Sequence, residues 1–152
     1  MKTVKIILPG LIVLFIIIQF IPSGIPANKP EDEKSILKSS LITEPVLNHL
    51  RKSCLDCHSN QTLLPWYAKL EPSSWLLSVH INKGKEHLNF SAWEDYSKRE
   101  KIGLLGEIKD EVESGQMPLK SYLLIHRDAK LNAEKISALS RWTEEASARI
   151  LE

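Results

Sequence analysis

The stretch Cys54-Leu55-Asp56-Cys57-His58 constrains this chain more than any other. It holds the only two cysteines, spaced to sit on one helical turn, with an imidazole directly after the second. C-x-x-C-H is the attachment signature of a c-type haem. Thiols at this spacing meet two vinyl groups on one porphyrin edge. The histidine is then turned toward the iron as its proximal ligand. A chain read this way folds around a flat apolar group as well as around its own side chains.

Three other chemistries compete for the same residues. A dithiol redox site places C-x-x-C at a helix start beside a βαβ pattern. Here a helical pattern precedes the motif, and few residues alternate with period two. Zinc would take Cys54, Cys57 and His58, but no second C-x-x-C or H-x-x-x-H completes a structural site. A plain disulfide leaves His58 unexplained. Haem attachment accounts for all three residues at once.

The N-terminus points to export. Lys2 and Lys5 precede an apolar run, Ile6 to Ile21, with no acid in it. A signal peptide and a membrane anchor both fit. As a helix the run spans about 24 Å, short of the roughly 30 Å hydrocarbon core; Val4 and snorkelling lysines extend its reach. The small residues Ser23, Gly24 and Ala27 are interleaved with Pro22 and Pro26, which makes a poor cleavage site. The expectation is therefore an uncleaved single-pass transmembrane helix over residues 1–22 in the cell inner membrane. Lys2 and Lys5 stay cytoplasmic and the body lies on the periplasmic side. A periplasmic protein released by signal cleavage is the alternative. Residues 23–42, with Pro26, Pro30, Ser39 and Ser40, read as a linker of low order, apart from a short helical piece around residues 36–42. Residues 43–152 read as the folded body.

That body is expected to be all-α. Thr43-Glu44-Pro45 is a helix start, after which Val46, Leu47 and Leu50 share one face. Ser73-Ser74 opens a second helix, with Trp75, Leu76, Val79 and His80 at helical spacing and Gly84 as its end. A third covers about residues 95–114, marked by Ile102, Leu105, Ile108 and Val112, with Gly115 as C-terminal cap. A short helix around residues 119–126 follows. The last starts near Asn132 and places Ile136, Leu139, Trp142, Ala146 and Ile150 on one face. Beyond Lys2 and Lys5 the chain carries 18 basic and 19 acidic residues, about −1. Nucleic acid is excluded as a partner, since its binders need a basic surplus.

Histidine leaves one face of an iron open. Met117, the only methionine after the initiator, lies in Gly115-Gln116-Met117-Pro118 between two helices. A thioether there would favour ferrous iron and raise the potential. Methionines more often fill core gaps, but a polar loop before proline is a poor place for one. His80 is the strongest rival ligand. His87 and His126 are candidates for haem propionates or turn caps, and His49 for a solvent-facing position. Trp66 and Tyr122 each carry a polar handle suited to a propionate. A backbone carbonyl near Pro65 is a candidate acceptor for His58 Nδ1–H.

The order helix, C-x-x-C-H, loops, helix, Met-Pro loop and C-terminal helix resembles a class I cytochrome c. More closely, the chain resembles the bacterial haem-binding domain family of small exported proteins. The matching residues are Cys54 through Thr62, Pro65-Trp66-Tyr67, Pro72-Ser73-Ser74-Trp75, His80 and Gly84. Leu88-Asn89-Phe90-Ser91-Ala92-Trp93, Met117-Pro118, Tyr122 and His126 complete the set, over about residues 44–145. The resemblance implies one covalent haem c per chain and a helical cage around it, with the first and last helices of the body crossing beside it. The function expected is a membrane-tethered monohaem electron carrier, not an enzyme, with unspecified redox partner proteins. The alternative is a haem-based sensor with an open or weak sixth position.

Overall fold

An apolar run behind two lysines forms the first helix, α1 (Lys2–Ile18). The computed structural model describes residues 2–152, with side chains from residue 7 onward. The large apolar side chains of α1 from Ile7 to Ile17 are all exposed, so over these residues the helix is not packed into the body. The transmembrane span expected here needs correction. None of the described helices is long and apolar enough to cross a membrane. The 17 residues of α1 reach only about 26 Å at 1.5 Å per residue. The helix stops short of Ile21 because Gln19 turns into the body. Gln19 Nε2 donates to the Glu71 carbonyl at 3.2 Å, and Glu71 N–H donates back to Gln19 Oε1 at 3.0 Å.

The expected low-order tether is packed chain instead. Asn28 and Thr62 exchange two hydrogen bonds of 3.0 Å, and Lys29 N–H donates to the Asn60 carbonyl at 2.9 Å. Ser35 caps a 3-10 turn, Ile36–Lys38, by accepting from Leu37 N–H. That turn drives Ile36, fully buried, into the main core. Prolines in this segment shape a strap, because the residues between them find partners on the loop after His58.

All remaining elements are helical, and no strand occurs among the described residues. α2 (Glu44–Ser53) begins after Thr43, with Glu44 in its first turn and Pro at its start, and buries Val46, Leu47 and Leu50. The single turn α3 (Leu55–His58) follows a break at Cys54. α4 (Ser73–His87) runs on through Gly84, where an end was expected. α5 (Lys98–Glu113) starts at a capping box, Ser97 with Glu100, that satisfies two otherwise orphaned amides. Gly115, at φ +69°, turns the chain out of it. α6 (Lys120–Leu123) is one turn. α7 (Ala133–Leu151) is capped by Asn132, which accepts from Lys135 N–H, and buries Leu139, Trp142 and Ala146.

Two apolar clusters result. The larger joins Ile36, Leu50, Phe90, Trp93, Leu105, Leu139 and Trp142, where α2, α5 and α7 meet. The smaller joins Ala68, Leu77 and Ile81 under α4. α4 thus buries Ser74, Leu77, Ser78 and Ile81, whereas Leu76 and Val79 face outward. The face expected in the core is the wrong one. The buried face carries Leu77 and Ile81, which fill the smaller cluster, with the small Ser74 and Ser78 beside them.

Candidate cofactor site

The motif straddles the two clusters. Cys54 packs on the larger and Cys57 on the smaller. Cys54 N–H still donates to Leu50 O at 2.8 Å, closing α2, while its carbonyl accepts from His58 N–H at 3.0 Å, opening α3. The kink between the helices falls at Cys54 itself, with φ −130° and ψ −44°.

α4 grips this turn at two places. Gly84 lies so close that a Cβ there would stand 2.7 Å from the Cys57 carbonyl oxygen. One turn on, the Leu88 carbonyl lies 3.0 Å from His58 Nδ1. A carbonyl only accepts, so Nδ1 carries the proton and Nε2 keeps a free lone pair. The acceptor is therefore Leu88, and the carbonyl expected near Pro65 is corrected. A backbone oxygen leaves no mark in a side-chain pattern, so no signal in the sequence could have found it. Burial pushes the His58 pKa down, against the opposing pull of the Leu88 and Gly84 carbonyls, and favours the neutral ring.

Two adjoining cavities open beside this ring, of about 390 and 320 Å³. Both are lined by Cys54, His58, His87 and Met117. Leu88, Phe90, Leu104, Ile108 and Val112 wall the first. Cys57, His80, Leu119 and Tyr122 wall the second. Met117 is held there by backbone: the Glu111 carbonyl accepts from both Gln116 N–H and Met117 N–H, at 3.0 and 3.1 Å. The loop thus brings a thioether to the same cavities as the free imidazole nitrogen.

The other sequence candidates divide. His80 borders the second cavity. His87 borders both and pairs with Glu107 at 2.9 Å. Tyr122 borders the second but donates its hydroxyl to Asp56 Oδ2 at 2.7 Å. It stacks on His126 at 4.2 Å, and His126 Nε2 lies 2.9 Å from the Tyr67 hydroxyl. Trp66 borders neither cavity and is exposed. His49 lines neither. Asp56 was not singled out in the sequence, although its carboxylate ties Tyr122 and Leu63 N–H to the motif.

The thiols bear on the rival chemistries. Burial pushes Cys54 up to about 12. Burial, helped by Asp56 and opposed by Lys85, pushes Cys57 up to about 11. Exchange catalysts need the opposite, a thiol with lowered pKa. The two cysteines are not joined in a disulfide. Among the described residues no group of three His, Cys, Asp or Glu could hold a metal ion. Two protonated thiols, one neutral imidazole and one thioether around apolar cavities form a donor set that fits haem.

Fold and site together define an all-helical haem-binding domain. The model of the haem-binding domain family matches residues 13–145, and the chain belongs to that family. The match begins inside α1 and includes the strap. No curated protein and no solved structure matches the chain.

Proposed function

We propose that the chain is a monohaem c-type electron carrier on the periplasmic face of the inner membrane, held there by the exposed apolar α1 without that helix spanning the bilayer. The observation that carries this reading is the pairing of His58 and Met117 on shared cavities, with the two thiols on their rim. Cys54 and Cys57 would hold the haem through thioethers, and His58 Nε2 and Met117 Sδ would bind its iron. When bound, haem supplies a one-electron ferric–ferrous couple.

The protein's own part is restraint. Leu88 holds the His58 ring at one angle, and the Glu111 carbonyl holds the Met117 loop. Leu88, Phe90, Leu104, Ile108 and Val112 would give the haem an apolar wall on that side, with Glu107, Asp110 and Glu111 lining the same open cavity. Tyr122 O–H and Leu63 N–H each donate to the Asp56 carboxylate and fix it beside the motif. Burial, with Asp56 as its acceptor, pushes the Tyr122 phenol up, so it stays a donor at neutral pH.

Two measurements test the proposal. Haem should remain on the chain after denaturation and acidic solvent extraction, and Cys54→Ala with Cys57→Ala should release it. Met117→Ala should remove the low-spin methionine spectrum and admit carbon monoxide to the reduced protein. Rapid carbon monoxide binding by the unaltered protein would instead support a sensor with an open sixth position. An unchanged Met117→Ala spectrum would move the ligand to His80, which borders the second cavity.

A further inference from the structure

The outward face of α4 belongs to an apolar surface. Leu76, Trp66, Leu70 and Ile125 line one open cavity of about 350 Å³, which shares Cys57, His80, Leu119 and Tyr122 with the second cofactor cavity. Trp66 is 73% exposed, Ile125 60% and Leu76 56%. A contiguous patch of this kind marks an interaction surface.

Two observations identify its occupant. The reciprocal hydrogen bonds between Gln19 and Glu71 pin the end of α1 one residue from Leu70. The exposed apolar helix therefore runs directly into the patch. Charge is the second. Residues 63–80 and 119–126, which carry the patch, contain only Lys69, Glu71 and Lys120 as charged side chains other than histidine. Both lysines are exposed, whereas Glu71 is buried. An apolar surface with an exposed tryptophan, two lysines and no exposed acid suits a bilayer with anionic headgroups.

We infer that this face lies on the lipid surface, with Trp66, Leu76 and Ile125 at the boundary between headgroups and acyl chains. Lys69 and Lys120 then meet anionic headgroups. The inference rests on the reading of α1 as a membrane segment. It goes further, because it fixes how the domain sits: the Cys57 side of the cofactor site faces the membrane, and the α5–α7 side faces away.

The test uses the full haem-loaded chain in phosphatidylcholine vesicles containing phosphatidylglycerol. A lipid with a diazirine on its acyl chain is photolysed, and adducts are mapped by peptide mass spectrometry. Adducts are expected on α1, on residues 63–76 and on residues 124–125, and not on α7. The pair Lys69→Glu and Lys120→Glu should abolish the patch adducts and leave those on α1. Adducts confined to α1 would overturn the inference in favour of a protein occupant while α1 keeps its role. No adducts anywhere would overturn both. Patch adducts that survive the double charge reversal would overturn the part played by anionic headgroups.

Discussion

Gly84→Ala isolates the contact that seats the attachment motif. Alanine suits a helix interior, so the change alone should stabilise α4 by about 1 kcal/mol. The added Cβ, however, would stand 2.7 Å from the Cys57 carbonyl oxygen, 3.2 Å from its carbon and 3.3 Å from its Cβ. To reach the 3.4 Å edge of ordinary contact, α4 must withdraw by about 0.7 Å. The atoms in the way are largely backbone, so no rotamer change relieves them. Overpacking of this kind costs about 1–3 kcal/mol, which cancels or outweighs the propensity gain. A net loss of up to about 2 kcal/mol is expected, in contrast to a gain. The withdrawal would also pull the Leu88 carbonyl from His58. Urea unfolding of the haem-loaded protein measures the first effect, and the axial-ligand bands of the absorption spectrum the second. Gly103→Ala and Gly106→Ala in α5 are internal controls. A Cβ at either meets nothing within 4 Å, so both should gain about 1 kcal/mol. If Gly84→Ala rises with them, the close approach of α4 to Cys57 does not hold.

Three further outcomes are expected. Ile36→Ala should lower stability by about 3 kcal/mol in urea unfolding, as for a fully buried core residue; a disordered tether would give no change. Tyr122→Phe should cost about 1–2 kcal/mol by removing a hydrogen bond to a charged group. The Tyr122 phenol has a pKa raised above 10.0, so its contribution is present below that value and lost as pH rises past it. The unaltered protein should therefore lose stability above pH 10 more steeply than Tyr122→Phe, and parallel curves would refute the assignment. In chain lacking haem, the thiols raised to about 11 and 12 stay protonated at pH 8, and iodoacetamide should modify them more slowly than unfolded chain. Since unfolded thiols ionise near 9.0, stability of that form should fall as pH climbs beyond it.

Those features with a local cause were legible in the sequence. Thr43 before α2, Asn132 before α7, and the apolar stripes of α2, α5 and α7 all state their own structure. The motif pointed to haem, in line with the family match, and Gly115 marked the turn before Met117. Features set by distant backbone were not. The strap is ordered by Asn28 and Lys29 meeting the loop at residues 60–62, a pairing no periodicity encodes. α4 was read with the wrong face inward because hydropathy ranks Leu76 above Ser74 and Ser78, whereas the buried face carries Leu77 and Ile81 with those serines beside them. Gly84 was noticed for its flexibility, yet its role is to lack a side chain where two backbones nearly touch.

The double grip of α4, by Gly84 at Cys57 and by the Leu88 carbonyl at His58, has a consequence for speed. An electron hop is slow when nuclei must move to accommodate the new charge. A ring fixed at one nitrogen, on a turn wedged against a helix, has little room to tilt or slide when its other nitrogen meets a different charge. In a carrier of the proposed kind, α4 would therefore let this small domain change charge with little change of shape, so that little of each transfer would be spent on rearranging the protein.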